Sequence, residues 1–232
     1  MRKNASLIVS YMHLRALIGI LGMLLPVMCY VWCRVYNGGS LPDSISMFYY
    51  TNFRDIFVGV LLAFSVFLIT YKGYDILDNA ITVIIGVCGI GIALFPCQNN
   101  EAPGMVSFLM LPNSQTSILH YSSAGAFFTL LSFNSLFLFT KSGETVWKGT
   151  RKYYRNALFI ACGIIILLSL IGMLIAFICT TQEYRDESHI LFVLETVMLL
   201  SFGVSWIVKG GVLMHDRKRY GIIRRPNRSS MP

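Results

Sequence analysis

The chain has 232 residues, of which 55% are hydrophobic and 13% charged, and it carries a formal net charge of +8. A soluble domain of this length has more charge and shorter apolar runs. The basic excess would suit a nucleic-acid binder, but the placement of the charges along the chain accounts for it without phosphate.

A helix crosses a bilayer with about 20 mostly apolar residues, and the chain approaches or reaches that in six places, at Leu14–Val35, Asp55–Tyr71, Asn79–Phe95, Ile118–Thr140, Asn156–Cys179 and His189–Lys209. Lipid offers no partner to backbone polar groups, so these segments are expected as helices. The fold class is therefore all-α, a six-helix transmembrane bundle over residues 1–214 followed by a basic tail, 215–232. The run Ala16–Trp32 outlasts a usual signal-peptide core and no A-x-A-like site follows it, so an uncleaved first helix is expected. With the N-terminus inside, all but Arg34, Arg54 and Arg185 of the 19 basic residues fall on the inner side. The positive-inside rule then places both termini in the cytoplasm. The tail, His215 to Ser230, is a juxtamembrane polybasic segment suited to anionic lipid headgroups. Aromatic residues mark both interfaces: Tyr30, Trp32, Tyr36 and Tyr184 at the outer one, Tyr71, Tyr153, Tyr154 and Trp206 at the inner one.

The second helix opens with Arg54 and Asp55 after Tyr49 and Tyr50. Asp55, Gly59 and Ala63 share one stripe, the expected packing face, which would turn Asp55 into the bundle. Gly89 with Ala93 and Ser122 with Ala126 repeat that spacing. The helix-three-to-four loop, Pro96 to Ser117, is the longest and includes an apolar stretch, Met105 to Leu111, as loops that cover cavities do. Of the six cysteines, Cys97 and Cys179 lie at outer helix ends, where an oxidising exterior would let them pair. Lys209, with Trp206 one turn before it, reads as a snorkelling anchor at the inner end.

Ionisable groups in membrane helices are costly and face protein or water. On this topology Asp55, His120 and His189 all lie near the outer surface. Glu195 is about 9 Å deeper than His189 and about 120° around the same helix. Three readings follow. Asp55, His120 and His189 could hold zinc with an open water position for hydrolysis. Arg54, Asp55, His120, His189, Glu195, Tyr49 and Tyr50 could bind a lipid headgroup or small amphiphile. The same groups could instead be structural glue between helices, supporting a partner or an oligomer. No sequence signature assigns a catalytic residue.

The segments SISMFYYTNFRDIFVGVLLAFSVFLITYKGYD, IGVCGIGIALFPC, HYSSAGAFF and ETVMLLSFGVSWIVKG resemble an uncharacterised bacterial family of small polytopic inner-membrane proteins, a domain of unknown function. That resemblance implies a bacterial inner-membrane location, assigns no activity, and matches Arg54, Asp55, His120, Glu195 and Lys209 to recurrent polar positions. There is a looser likeness to the alkaline ceramidase and adiponectin receptor superfamily of seven-helix zinc proteins. It implies a zinc hydrolase with an H-x-x-x-H on the last helix, where this chain has only His189.

Overall fold

The structure, a computed structural model, describes residues 2–73, 75–100, 105–107, 109–141 and 150–213, with side chains 2–11, 105 and 106 left aside. The tail 215–232 and most of the basic loop after Lys141 lie outside the described residues.

The described residues form six long helices and one short one: α1 (Arg2–Tyr36), α2 (Arg54–Thr70), α3 (Ile76–Leu94), α4 (Asn113–Phe133), α5 (Arg151–Cys179), the short α6 (Gln182–Ser188) and α7 (Ile190–Lys209). A 3-10 turn, Ser46–Tyr50, precedes α2, and a π turn, Asn134–Leu138, extends α4. Several starts are set by side-chain caps. Asp75 accepts from the Asp78 N–H at 2.8 Å to begin α3, Thr150 from Tyr153 at 3.2 Å to begin α5, and Thr181 from Tyr184 at 3.3 Å to begin α6. Such caps fall outside the apolar run, which is why α3 and α5 start earlier than hydropathy placed them. The long loop also shortens. It contains a small antiparallel hairpin, β1 (Met105–Val106) with β2 (Leu111–Pro112), and α4 begins at Asn113.

Neighbouring helices close a ring in the order α1, α2, α3, α4, α5, α7 and back to α1. Small residues set its tightest seams. A Cβ on Gly203 would meet the carbonyl oxygen of Gly19 at 2.6 Å, and one on Gly86 that of Ser65 at 2.7 Å. Between α4 and α5, Ser132 donates to the Gly163 carbonyl and Ser135 to that of Phe159, each at 2.8 Å.

Four helices, over Met12–Tyr36, Ile76–Leu94, Arg151–Cys179 and Ile190–Lys209, are long and apolar enough to cross a membrane. Along α5, Ile164, Leu168, Leu174 and Ile178 face outward, Leu168 at 60% and Ile178 at 73% exposure. Apolar surface on that scale is not left to water by a monomeric soluble protein, and the chain is membrane-embedded. The interior is filled from one end by aromatic rings. Trp206, 1% exposed, packs on Tyr71 and Phe139 at 5.3 Å and on Phe202 at 5.9 Å. This corrects the interfacial assignment of Trp206: its ring is core. Lys209 beside it turns inward, donating to the Phe139 carbonyl at 3.0 Å rather than reaching outward.

Two further expectations fail. The buried stripe of α2 is Phe57, Leu61, Phe64, Ser65 and Leu68, so Asp55, Gly59 and Ala63 face outward. Ser122 and Ala126 are exposed as well, and of the three small-residue pairs only Gly89 with Ala93 is packed inside. Bulky aromatic and aliphatic side chains at the same helical spacing fill the interior instead, where close van der Waals packing rather than removal from water holds membrane helices together. All six cysteines are free, Cys97 buried and Cys179 exposed.

Candidate functional site

At the end of the ring away from Trp206 and Lys209, the connections fold over the helices and are tied together. Tyr50 donates its hydroxyl to the Cys97 carbonyl at 2.7 Å, Asn100 donates to Gln182 at 3.0 Å, and the Phe192 N–H donates to the Asp43 carbonyl at 2.8 Å. Beneath this cover lies a cavity of about 680 Å³. All six long helices contribute to its wall, which is mainly apolar. Leu61, Phe64, Phe128, Leu170 and Leu199 line its depth, while Asp43, Ser46, His120, Arg185 and Glu195 are among the polar side chains that line it.

Glu195 is 7% exposed on the inner face of α7. Its Oε2 accepts from the Ile45 N–H at 2.5 Å and the Ser46 N–H at 3.4 Å, and its Oε1 from the Ser46 hydroxyl at 3.0 Å. The carboxyl group thus caps the 3-10 turn, where the first backbone N–H groups have no partner of their own. His120, 2% exposed near the start of α4, stands on the other side of the same serine. Its Nε2 is 3.2 Å from Ser46 Oγ, and its Nδ1 is 2.7 Å from the Phe95 carbonyl oxygen.

The proton positions follow from the partners. A carbonyl oxygen only accepts, so Nδ1 carries a proton. In the neutral ring Nε2 is then an acceptor, so the Ser46 hydroxyl proton has two acceptors within reach, Glu195 Oε1 at 3.0 Å and His120 Nε2 at 3.2 Å. The hydroxyl can turn between them, and the serine that ties Glu195 to the turn can also give its proton to His120.

Of the residues singled out from sequence, His120 and Glu195 come together here. The others do not join them. Arg54 lies on the Tyr49 ring at 4.2 Å and donates to its hydroxyl at 2.7 Å, outside the cavity. Tyr50 braces the cover through Cys97. Asp55 points outward and does not meet either histidine. His189 occupies the junction of α6 and α7 with φ 50°, its ring off the cavity wall. Asp55, His120 and His189 are thus not gathered as a zinc site, and among the described residues no three His, Cys, Asp or Glu side chains stand close enough to share a metal ion.

Ser46, Asp43 and Arg185 complete the polar end of the cavity, and none stood out in the sequence. Ser46 belongs to a polar stretch before α2, and only its contact with a residue 149 positions later marks it. Asp43, on the connection ahead of the 3-10 turn, has its carboxyl pushed above the usual range, first by burial and then by the like charge of Asp186. Arg185 is the cavity's cation; it donates to the Thr180 carbonyl at 2.6 Å and lies 5.2 Å from the Phe177 ring centre.

No family model, characterised protein or solved structure matches the chain.

Proposed function

We propose that this protein spans a bacterial inner membrane six times with both termini in the cytoplasm, and that its cavity holds a lipid or small amphiphile from the outer leaflet. The cavity carries the reading. Its volume lies in the range of about 300–1,000 Å³ common for ligand sites, its depth is apolar and its polar lining includes Asp43, Ser46, His120, Arg185 and Glu195. That is the chemistry of a molecule with an acyl tail and a polar head. Arg185 supplies the cationic contact first assigned to Arg54. The orientation rests on the distribution of basic residues, since the cavity end carries few of them and the tail 215–232 is rich in them. The two helices not already long and apolar enough to span, α2 and α4, each stand between two of the four that are, and the ring runs antiparallel from each helix to the next.

Gly125 offers the test. It lines the cavity, and a Cβ added there meets nothing within 4 Å. Gly125→Trp would therefore start its side chain in open space and project an indole into the cavity. Lipid mass spectrometry on protein purified in a mild neutral detergent is expected to find one amphiphile retained by the wild type and lost from Gly125→Trp. Retention by neither, or equally by both, would sink the binding reading and leave the polar cluster a structural cap.

A further inference from the structure

We propose that Ser46 is a nucleophile with His120 as its general base, and that the cavity cleaves the carboxylic ester of an acyl-chain amphiphile; this rests on the amphiphile reading of the cavity.

The geometry is that of an activated hydroxyl. The Phe95 carbonyl, 2.7 Å from Nδ1, fixes the tautomer and ring orientation of His120, leaving the Nε2 lone pair aimed at Ser46 Oγ 3.2 Å away. A nucleophile, a base within reach and a third group orienting the base make up the arrangement that lets serine act near neutral pH. Burial at 2% exposure and an edge-on contact with Tyr121 at 5.6 Å hold the imidazole in place. Glu195 is a positioning residue. Through the Ile45 and Ser46 amides it fixes the turn that presents the hydroxyl to the cavity. A serine serving only as structural glue needs one acceptor; this hydroxyl lies between two and opens onto a space shaped for a chain.

In the reaction, Ser46 Oγ bonds to the ester carbonyl carbon as its proton passes to His120 Nε2. The carbon–oxygen bond to the alcohol then breaks, and the departing oxygen takes the proton from Nε2. Water attacks the acyl-serine, giving a proton to Nε2, the Oγ–carbon bond breaks, and the proton returns to Ser46. One ester and one water become one acid and one alcohol, with no change in oxidation state. Gln98, Asn100 and Gln182, which also line the cavity, provide a polar approach for that water.

The test treats the full-length protein, in neutral detergent, with a long-chain alkyl fluorophosphonate and separately with diisopropyl fluorophosphate, and maps adducts by peptide mass spectrometry. The expected result is modification at Ser46, about tenfold faster with the long-chain reagent, and absent from Ser46→Ala. Loss of a general base costs about 100-fold or more, so labelling should fall by at least that in His120→Ala. Because His120 is buried, His120→Gln is run alongside it, since glutamine fills similar volume and can still donate to the Phe95 carbonyl. Monodisperse wild type with no adduct at Ser46, or labelling unchanged in a monodisperse His120→Gln, would overturn the proposal. Equal rates with both reagents would keep Ser46 as a nucleophile but remove the acyl-chain substrate and the amphiphile reading. If Ser46 is unlabelled while the wild type still retains a lipid that Gly125→Trp loses, only the catalytic step falls.

Discussion

Glu195 and the 3-10 turn show how much one side chain organises at this end of the molecule. Its acceptors serve two backbone N–H groups and a hydroxyl from a segment 149–150 positions earlier. Removing it would leave buried donors without partners, at about 1–3 kcal/mol for each group so stranded. Glu195→Ala is expected to lower stability by about 3 kcal/mol and Glu195→Gln by roughly 1, since the amide keeps one acceptor; thermal unfolding in detergent measures both, and equal effects would refute the cap. Asp43 supplies the pH dependence. Its carboxyl is held above the usual range by burial and by Asp186, so the fold favours the neutral form. The associated stability is complete below the ordinary carboxylate value of about 4 and is lost as pH rises through the raised one. Asp43→Asn should flatten that part of the decline in melting temperature between pH 4 and 8; an unchanged slope would place its origin elsewhere. At this scale sequence reading reached His120 and Glu195, because ionisable groups inside apolar runs are conspicuous. It missed Ser46, because an ordinary polar residue in a connection is made special only by what folds against it.

Among the helices, periodicity revealed that elements exist but not which face each one turns inward. On α2 two stripes compete, one of small residues through Asp55, Gly59 and Ala63 and one of bulky residues through Phe57, Leu61, Phe64 and Leu68, and the second takes the core. The seam between α1 and α7, where Gly19 meets Gly203, was not visible because neither glycine stands in a repeated pattern. These faces make opposite predictions for one kind of substitution. Gly203→Leu would drive a side chain into Met23 and the Gly19 carbonyl, and overpacking of that kind costs about 3 kcal/mol. A Cβ on the exposed Gly59 meets nothing within 4 Å, so Gly59→Leu should change stability by less than about 1 kcal/mol, helped by the better helix propensity of leucine. Yield of monodisperse protein and melting temperature separate the two. Similar losses in both would mean that the outward face of α2 is occupied, and a second copy of the chain would then be the first candidate.

Across the whole molecule, charge and cavity point the same way. The end bearing Ser46, His120 and Glu195 carries Arg34, Arg54 and Arg185 as its basic residues among those described, whereas Arg15, Lys72, Lys141, Arg155 and Lys209 gather at the other, where Lys141 pairs with Asp75 at 3.0 Å. This asymmetry was legible from sequence because the positive-inside rule reads composition between helices and needs no contacts. The cavity was not, because a closed ring is a property of helix order around an axis, which periodicity along one chain does not encode. Orientation and site are therefore testable together. Cys179 is the exposed cysteine among six and sits at the cavity end, beside α6. In intact cells a membrane-impermeant maleimide is expected to label Cys179, and to label Glu183→Cys more strongly, since Glu183 lies on the exposed α6. Leu213→Cys in a Cys179→Ser background, placed just past α7, should react only after the cells are permeabilised. The reverse pattern would put the cavity on the cytoplasmic side, where an inner-leaflet lipid would be its ligand. Labelling of both ends in intact cells would contradict a fixed six-span arrangement. With the expected pattern, the polar end of the cavity faces outward, and the water that the proposed ester cleavage consumes comes from outside the cell membrane.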